Sequence, residues 1–183
     1  MSIPVFRDPR VVALEAELAR VMSAYDAVLD ALPPGSADVA PEGQWSPVQI
    51  VWHVSKVQHW AVSRLTAGAA ALPAMSTVPP GPAPATILKL LDAFPIRDRS
   101  TRVQAPEAVR PPTGLVLDAE RARWREGRAT LVETLQRIGP NLTNVRGEHP
   151  AFGTLSGWQW ALWVAQHEER HLEQLREVVA GTR

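Results

Sequence analysis

The placement of proline limits this chain more than any other feature. Its 17 prolines fall mostly in a few segments, and a proline inside a helix removes a hydrogen bond and clashes with the preceding turn, at a cost of about 3 kcal/mol or more. Long helices are therefore confined to the stretches between those segments. There, apolar residues return every three or four positions, the period of a helix with one buried face.

Asp8 followed by Pro9 is a favoured helix start. Leu14, Leu18, Val21, Met22, Tyr25, Val28, Leu29 and Leu32 then line one face until Pro33, Pro34 and Gly35. Ser46, Pro47 and Gln49 form a capping box with proline at the first helical position, opening a second helix buried through Ile50, Val54, Val57, Ala61 and Leu65, with Gly68 as its expected stop. Residues 69–85, with Pro73, Pro79, Pro80, Pro82 and Pro84, read as a long connection. A short helical piece over residues 86–94 interrupts that crossover, which ends at Pro111 and Pro112. A third helix over residues 117–138 carries Leu117, Trp124, Leu131, Leu135 and Ile138, and is stopped by Gly139 and Pro140. Residues 141–155 read as a loop holding His149. Ser156 with Gln159 repeats the capping box and starts a last helix to about Ala180.

Four amphipathic helices with few alternating apolar runs predict an all-α four-helix bundle with a long crossover between helices 2 and 3. The length, 183 residues, suits one domain over 1–183. The crossover is long enough to suggest a cover over one end of the bundle.

The 19 basic and 19 acidic residues cancel, which removes the electrostatic reason to expect a nucleic-acid or anionic-membrane partner. The arginine-rich stretches 97–102 and 121–128 are interrupted by acidic and apolar residues, as on a solvated surface. Met1 to Arg10 lack an apolar signal region and no run is long enough to span a membrane, so a cytoplasmic protein is expected. With no cysteine, disulfides, thiolate ligands and cysteine nucleophiles are excluded, and any metal must be held by nitrogen and oxygen.

The last helix has a core stripe of Trp160, Val164, Leu175 and Val178, and His167 and His171 fall within it. Two imidazoles one turn apart are a bidentate arrangement for a transition-metal ion. The competing account is a pair of core histidines bonded to carbonyls or a carboxylate, but each nitrogen left unsatisfied costs roughly 1–3 kcal/mol. His53 sits at the edge of the buried face of the second helix and can complete a three-histidine site. His59 lies about opposite that face and is expected to point to solvent; His149, in a loop, is expected not to be a ligand.

His167, Glu168 and His171 also spell H-E-x-x-H, the zinc-protease motif in which the glutamate is general base. The extended form would need glycine at Gln174 and histidine at Glu177. Haem ligation is disfavoured because histidines one turn apart suit a compact ion better than two opposed axial positions.

The segment Trp45, Ser46, Pro47 to His53, together with His149, Pro150, Phe152, Gly153, Leu155, Gln159, Trp160, His167, Arg170, His171 and Gln174, resembles the DinB/YfiT-like superfamily of metalloenzyme bundles. The resemblance implies an up-down-down-up bundle in which His53, His167 and His171 hold one divalent ion, zinc or nickel. It also implies relatives that include transferases and isomerases using small-molecule thiols such as bacillithiol or mycothiol. The chain departs from it at Gln49, where many relatives carry a glutamate.

The functional expectation is a metal-dependent hydrolase or a thiol-dependent transferase acting on a small-molecule substrate. Trp60, Arg64 and Gln174 are candidate substrate contacts or supports of the ligands, against simpler roles for them in the core, in surface pairing and in hydrogen bonding to a ligand. The rival is a non-catalytic, metal-stabilised interaction module. A homodimer is expected in either case, pairing through Trp52, Trp158 and Trp163, which lie off the calculated core stripes.

Overall fold

The computed structural model describes residues 7–74, 77–100 and 104–181. The segment read as lacking a signal region and the end of the 97–102 stretch lie partly outside them. Four helices dominate: α1 (Pro9–Asp30), α2 (Pro47–Ala70), α3 (Leu117–Ile138) and α4 (Gly157–Gly181).

Their ends follow the capping chemistry. The Asp8 carboxylate accepts from the Arg10 N–H at 2.9 Å. Both capping boxes close: Ser46 N–H donates to Gln49 Oε1 at 3.0 Å, and Ser156 N–H donates to Gln159 Oε1 at 2.9 Å. Gly139 ends α3 at φ 55°, a conformation glycine adopts without a Cβ penalty.

Side-chain ties fix the direction of each helix. Arg10 lies over the Trp158 ring and the Tyr25 hydroxyl donates to the Glu168 carbonyl, so α1 and α4 run parallel. Gln49 donates to the Pro112 carbonyl just ahead of α3 and Gln58 to the Trp124 carbonyl, so α2 and α3 run parallel. Arg121 pairs with Asp26 and Asp30 while Gln136 reaches Glu15, which makes α1 and α3 antiparallel. The result is an up-down-down-up four-helix bundle, with a core of Leu14, Leu18, Tyr25, Ile50, Leu65, Trp124, Leu131, Leu135, Trp160, Val164 and Leu175.

Four local expectations are corrected. Gly68 does not stop α2, which continues to Ala70. It is instead a close-approach position, where an added Cβ would sit 2.9 Å from both the Arg146 carbonyl and Val145 Cγ1. Within residues 86–94 the helical piece is a 3-10 helix that begins earlier, at Pro84–Lys89, the tighter turn suiting a proline-rich start. Residues 141–155 contain an antiparallel hairpin, β1 (Arg146–His149) with β2 (Gly153–Ser156), besides irregular chain. Trp158 and Trp163 are not a pairing surface: both are buried within the chain, leaving only Trp52 of that trio partly exposed.

The crossover packs Ile87 and Leu91 into the core. It ties to α4 through Arg97 with Glu169 and Arg99 with Glu177, then delivers a second 3-10 helix, Glu107–Val109, beside the start of α2. No helix among the described residues is long and apolar enough to cross a membrane.

Candidate metal centre

α2 and α4 are antiparallel neighbours, and this brings residues early in α2 against residues around the middle of α4. The rings of His53 and His171 lie 4.6 Å apart, His167 and His171 4.6 Å, and His53 and His167 5.2 Å, centroid to centroid. One ligand atom from each of the three lies within 4.8 Å of the others, a spacing that can hold a metal ion. His59, as expected, is exposed, and its Nδ1–H donates to the Ser55 carbonyl one turn earlier.

The hydrogen bonds around the group orient its rings. His53 Nδ1–H donates to the Val109 carbonyl at 2.7 Å, and His171 Nδ1–H donates to Gln174 Oε1 at 2.8 Å. With the proton held at Nδ1, Nε2 of each ring presents a lone pair, the usual consequence of outer hydrogen bonding to ligand histidines. His167 has no such partner: its Nδ1 is buried and unpaired. An unsatisfied imidazole nitrogen beside two oriented Nε2 lone pairs is costly unless a further group satisfies the cluster. The donor set, three imidazoles without a carboxylate or thiolate, suits a divalent transition-metal ion.

Electrostatics favour the neutral, ligating form. Burial, then the neighbouring His53, pushes the His171 pKa down to about 3. Burial lowers His167 well below the ordinary histidine value, with His171 and His53 adding to it. His53 is lowered by burial, partly offset by its bond to Val109. Arg170 and Arg99 contribute positive potential to the same place.

The remaining candidates fall around this group. Gln174 touches it, through His171. Trp60 is half-buried one layer away, edge-on to Trp160 and Trp163. Arg64 is exposed and lies over the Trp60 ring at 5.5 Å. The sequence reading missed the Val109 carbonyl and two aromatic walls, Trp45 at 4.8 Å from the His53 ring and Trp163 at 5.2 Å from the His167 ring. Trp163 could have been found, since it precedes His167 by four residues and so shares its face.

The H-E-x-x-H glutamate is turned elsewhere. Glu168 is buried on the α1 and α3 side, paired with Arg128 and accepting from Trp124 Nε1 at 3.2 Å. Because its carboxylate is committed to Arg128 and Trp124 and does not join the histidine group, the zinc-protease reading lacks its general base.

Comparison with known proteins agrees with this architecture. A solved structure described as TT2238, a four-helix bundle protein, superposes with a TM-score of 0.60 at 20% identity, covering 91% of this chain and 98% of that one; at such identity the likeness speaks for the fold alone. No curated protein matches. The family model described as the DinB superfamily matches residues 17–175, well over half the chain, and the protein belongs to the DinB superfamily.

Proposed function

We propose that this protein binds one divalent transition-metal ion through His53, His167 and His171 and uses it for chemistry on a small molecule, with thiol-dependent transfer favoured over hydrolysis. The observation that supports metal binding is the pair of outer hydrogen bonds, Val109 to His53 and Gln174 to His171, which leave both Nε2 lone pairs free within a 4.8 Å group. A divalent ion held there would lower the pKa of a nucleophile bound beside it and keep its full charge, because all three donors are neutral.

The choice between reactions rests on what surrounds the group. Hydrolysis is helped by a nearby carboxylate that takes a proton from water. Here Glu168 is committed to Arg128, and Gln49 replaces a carboxylate and is held in the capping box. No Asp or Glu joins the histidine group among the described residues. A thiol reaches its nucleophilic anion far more readily than water, so it has less need of a protein base. Arg170 and Arg99 reinforce the attraction for an anionic nucleophile or substrate. The thiol must come from a small molecule, as the chain has no cysteine.

Zinc- and nickel-loaded protein, assayed with bacterial low-molecular-weight thiols and an electrophilic acceptor, should consume thiol faster than the His167→Ala variant does. Equal rates would overturn the transfer reading, and turnover of ester or amide substrates without thiol would favour hydrolysis.

A further inference from the structure

His149 differs from the three clustered histidines in its hydrogen bonding. It ends β1 and is 8% exposed, with its ring stacked on Phe152 at 4.6 Å and packed against Trp163 at 4.6 Å, Trp160 at 5.4 Å and Trp60 at 5.6 Å. Trp163 in turn lies 5.2 Å from His167, so one indole separates His149 from the histidine group. The Ala151 backbone N–H donates to His149 Nδ1 at 3.1 Å. A nitrogen that accepts carries no proton, so the neutral ring bears its hydrogen on Nε2. Burial pushes the pKa of this ring down to about 4, which keeps it neutral near pH 7. Among the described residues Nε2 has no hydrogen-bond partner, and it is not one of the buried unpaired atoms.

The Ala151 bond gives Nδ1 a structural role in the turn, but it does not account for Nε2. The hairpin is already tied to α4 by Trp160 Nε1, which donates to the Gly147 carbonyl at 3.2 Å, and by the β1–β2 ladder. An acceptor for Ala151 alone could come from a smaller polar side chain, whereas a histidine also places an Nε2–H at the edge of the aromatic cage. A fixed N–H at the edge of indole and phenyl rings, one ring from an electropositive site, suits a ligand with a flat apolar body and an acceptor oxygen.

We propose that His149 Nε2–H is a substrate-binding donor that holds a carbonyl or carboxylate oxygen of a small aromatic or unsaturated substrate, whose body lies against the partly exposed rings of Trp60 and Phe152. The proposal rests on the metal-site reading for where the substrate reacts, while the donor and its aromatic walls stand without it.

The test uses benzoate as probe on the full-length protein, both zinc-loaded and chelator-treated, with zinc content measured in each sample. Long-range nitrogen–proton NMR should show His149 as the Nε2–H form and its Nε2 signal should move on adding benzoate. Tryptophan fluorescence should give benzoate affinity about tenfold weaker in His149→Phe, largely restored in His149→Gln, whose terminal amide can reach the Nε2 position, with zinc content unchanged in both. A His149 in the Nδ1–H form, an unmoved Nε2 signal, or wild-type affinity in His149→Phe would overturn the proposal. Should His149→Phe fail to fold, the two NMR observations on the wild type decide it. Failure to hold zinc, with the benzoate effects intact, would remove the metal reading and leave the donor standing.

Discussion

Among the five histidines, environment rather than residue type separates the roles. His53 and His171 hold their protons at Nδ1 toward Val109 and Gln174, whereas His149 accepts at Nδ1 and His59 bonds its own helix. Helix-face geometry made His53, His167, His171 and the outward His59 legible from sequence. It could not reveal the Val109 carbonyl, because any residue type supplies one and only the path of the crossover places it. Nor did it show that Trp163 is a wall: every residue from Gly157 to Gln166 except Gln159 is buried, so a single-stripe reading underestimates the inner surface of α4. Gln174→Ala should weaken metal affinity by about tenfold or more, the usual effect of removing an outer partner of a ligand, while leaving the fold intact; competition with a zinc chelator measures it. Unchanged affinity would mean that the Gln174 bond does not orient His171 for ligation.

At the scale of elements, α4 serves two environments one residue apart, with His167 toward α2 and Glu168 toward α3. The motif H-E-x-x-H was legible but its meaning was not, since Arg128 lies in a different helix and no local pattern announces the pair. Glu168→Ala should destabilise the protein by about 3–5 kcal/mol, because it leaves the Arg128 charge buried without its partner; denaturant unfolding would show it, and a loss below about 1 kcal/mol would mean that Arg128 finds another partner or water. The end of α2 makes a second test. Gly68→Ala raises helix propensity by about 1 kcal/mol, yet the added Cβ meets the β1 backbone at 2.9 Å. We expect a net loss of roughly 1 kcal/mol, overpacking outweighing propensity, and a higher melting temperature would contradict the contact. The hairpin itself was read as loop because four-residue strands are too short to display a period.

For the whole molecule, the bundle was legible because proline and capping residues bound four periodic segments, whereas the route of the crossover depends on contacts far apart in sequence. That route joins fold to site, since the segment ending at Pro112 supplies the carbonyl that orients His53. The histidines also set a pH dependence. The folded pKa values of His53, His149, His167 and His171 lie below the unfolded value near 6.5, with His171 pushed to about 3 and His149 to about 4. The unfolded chain therefore binds more protons in that interval, so the stabilisation is present above about pH 6.5 and is lost as pH falls toward about 3. Ligation lowers the ligand pKa values further, and the metal-loaded protein should lose more stability than the chelated protein between about pH 7 and pH 5. Thermal melts of both forms check this; identical profiles from a sample known to start loaded would make the ion incidental to folding. The most direct test of the central claim is metal content after zinc or nickel loading and desalting. Wild type, His59→Ala and His149→Ala should each retain about one ion per chain, and His53→Ala, His167→Ala and His171→Ala should each lose most of it. Full retention by His167→Ala would contradict the site.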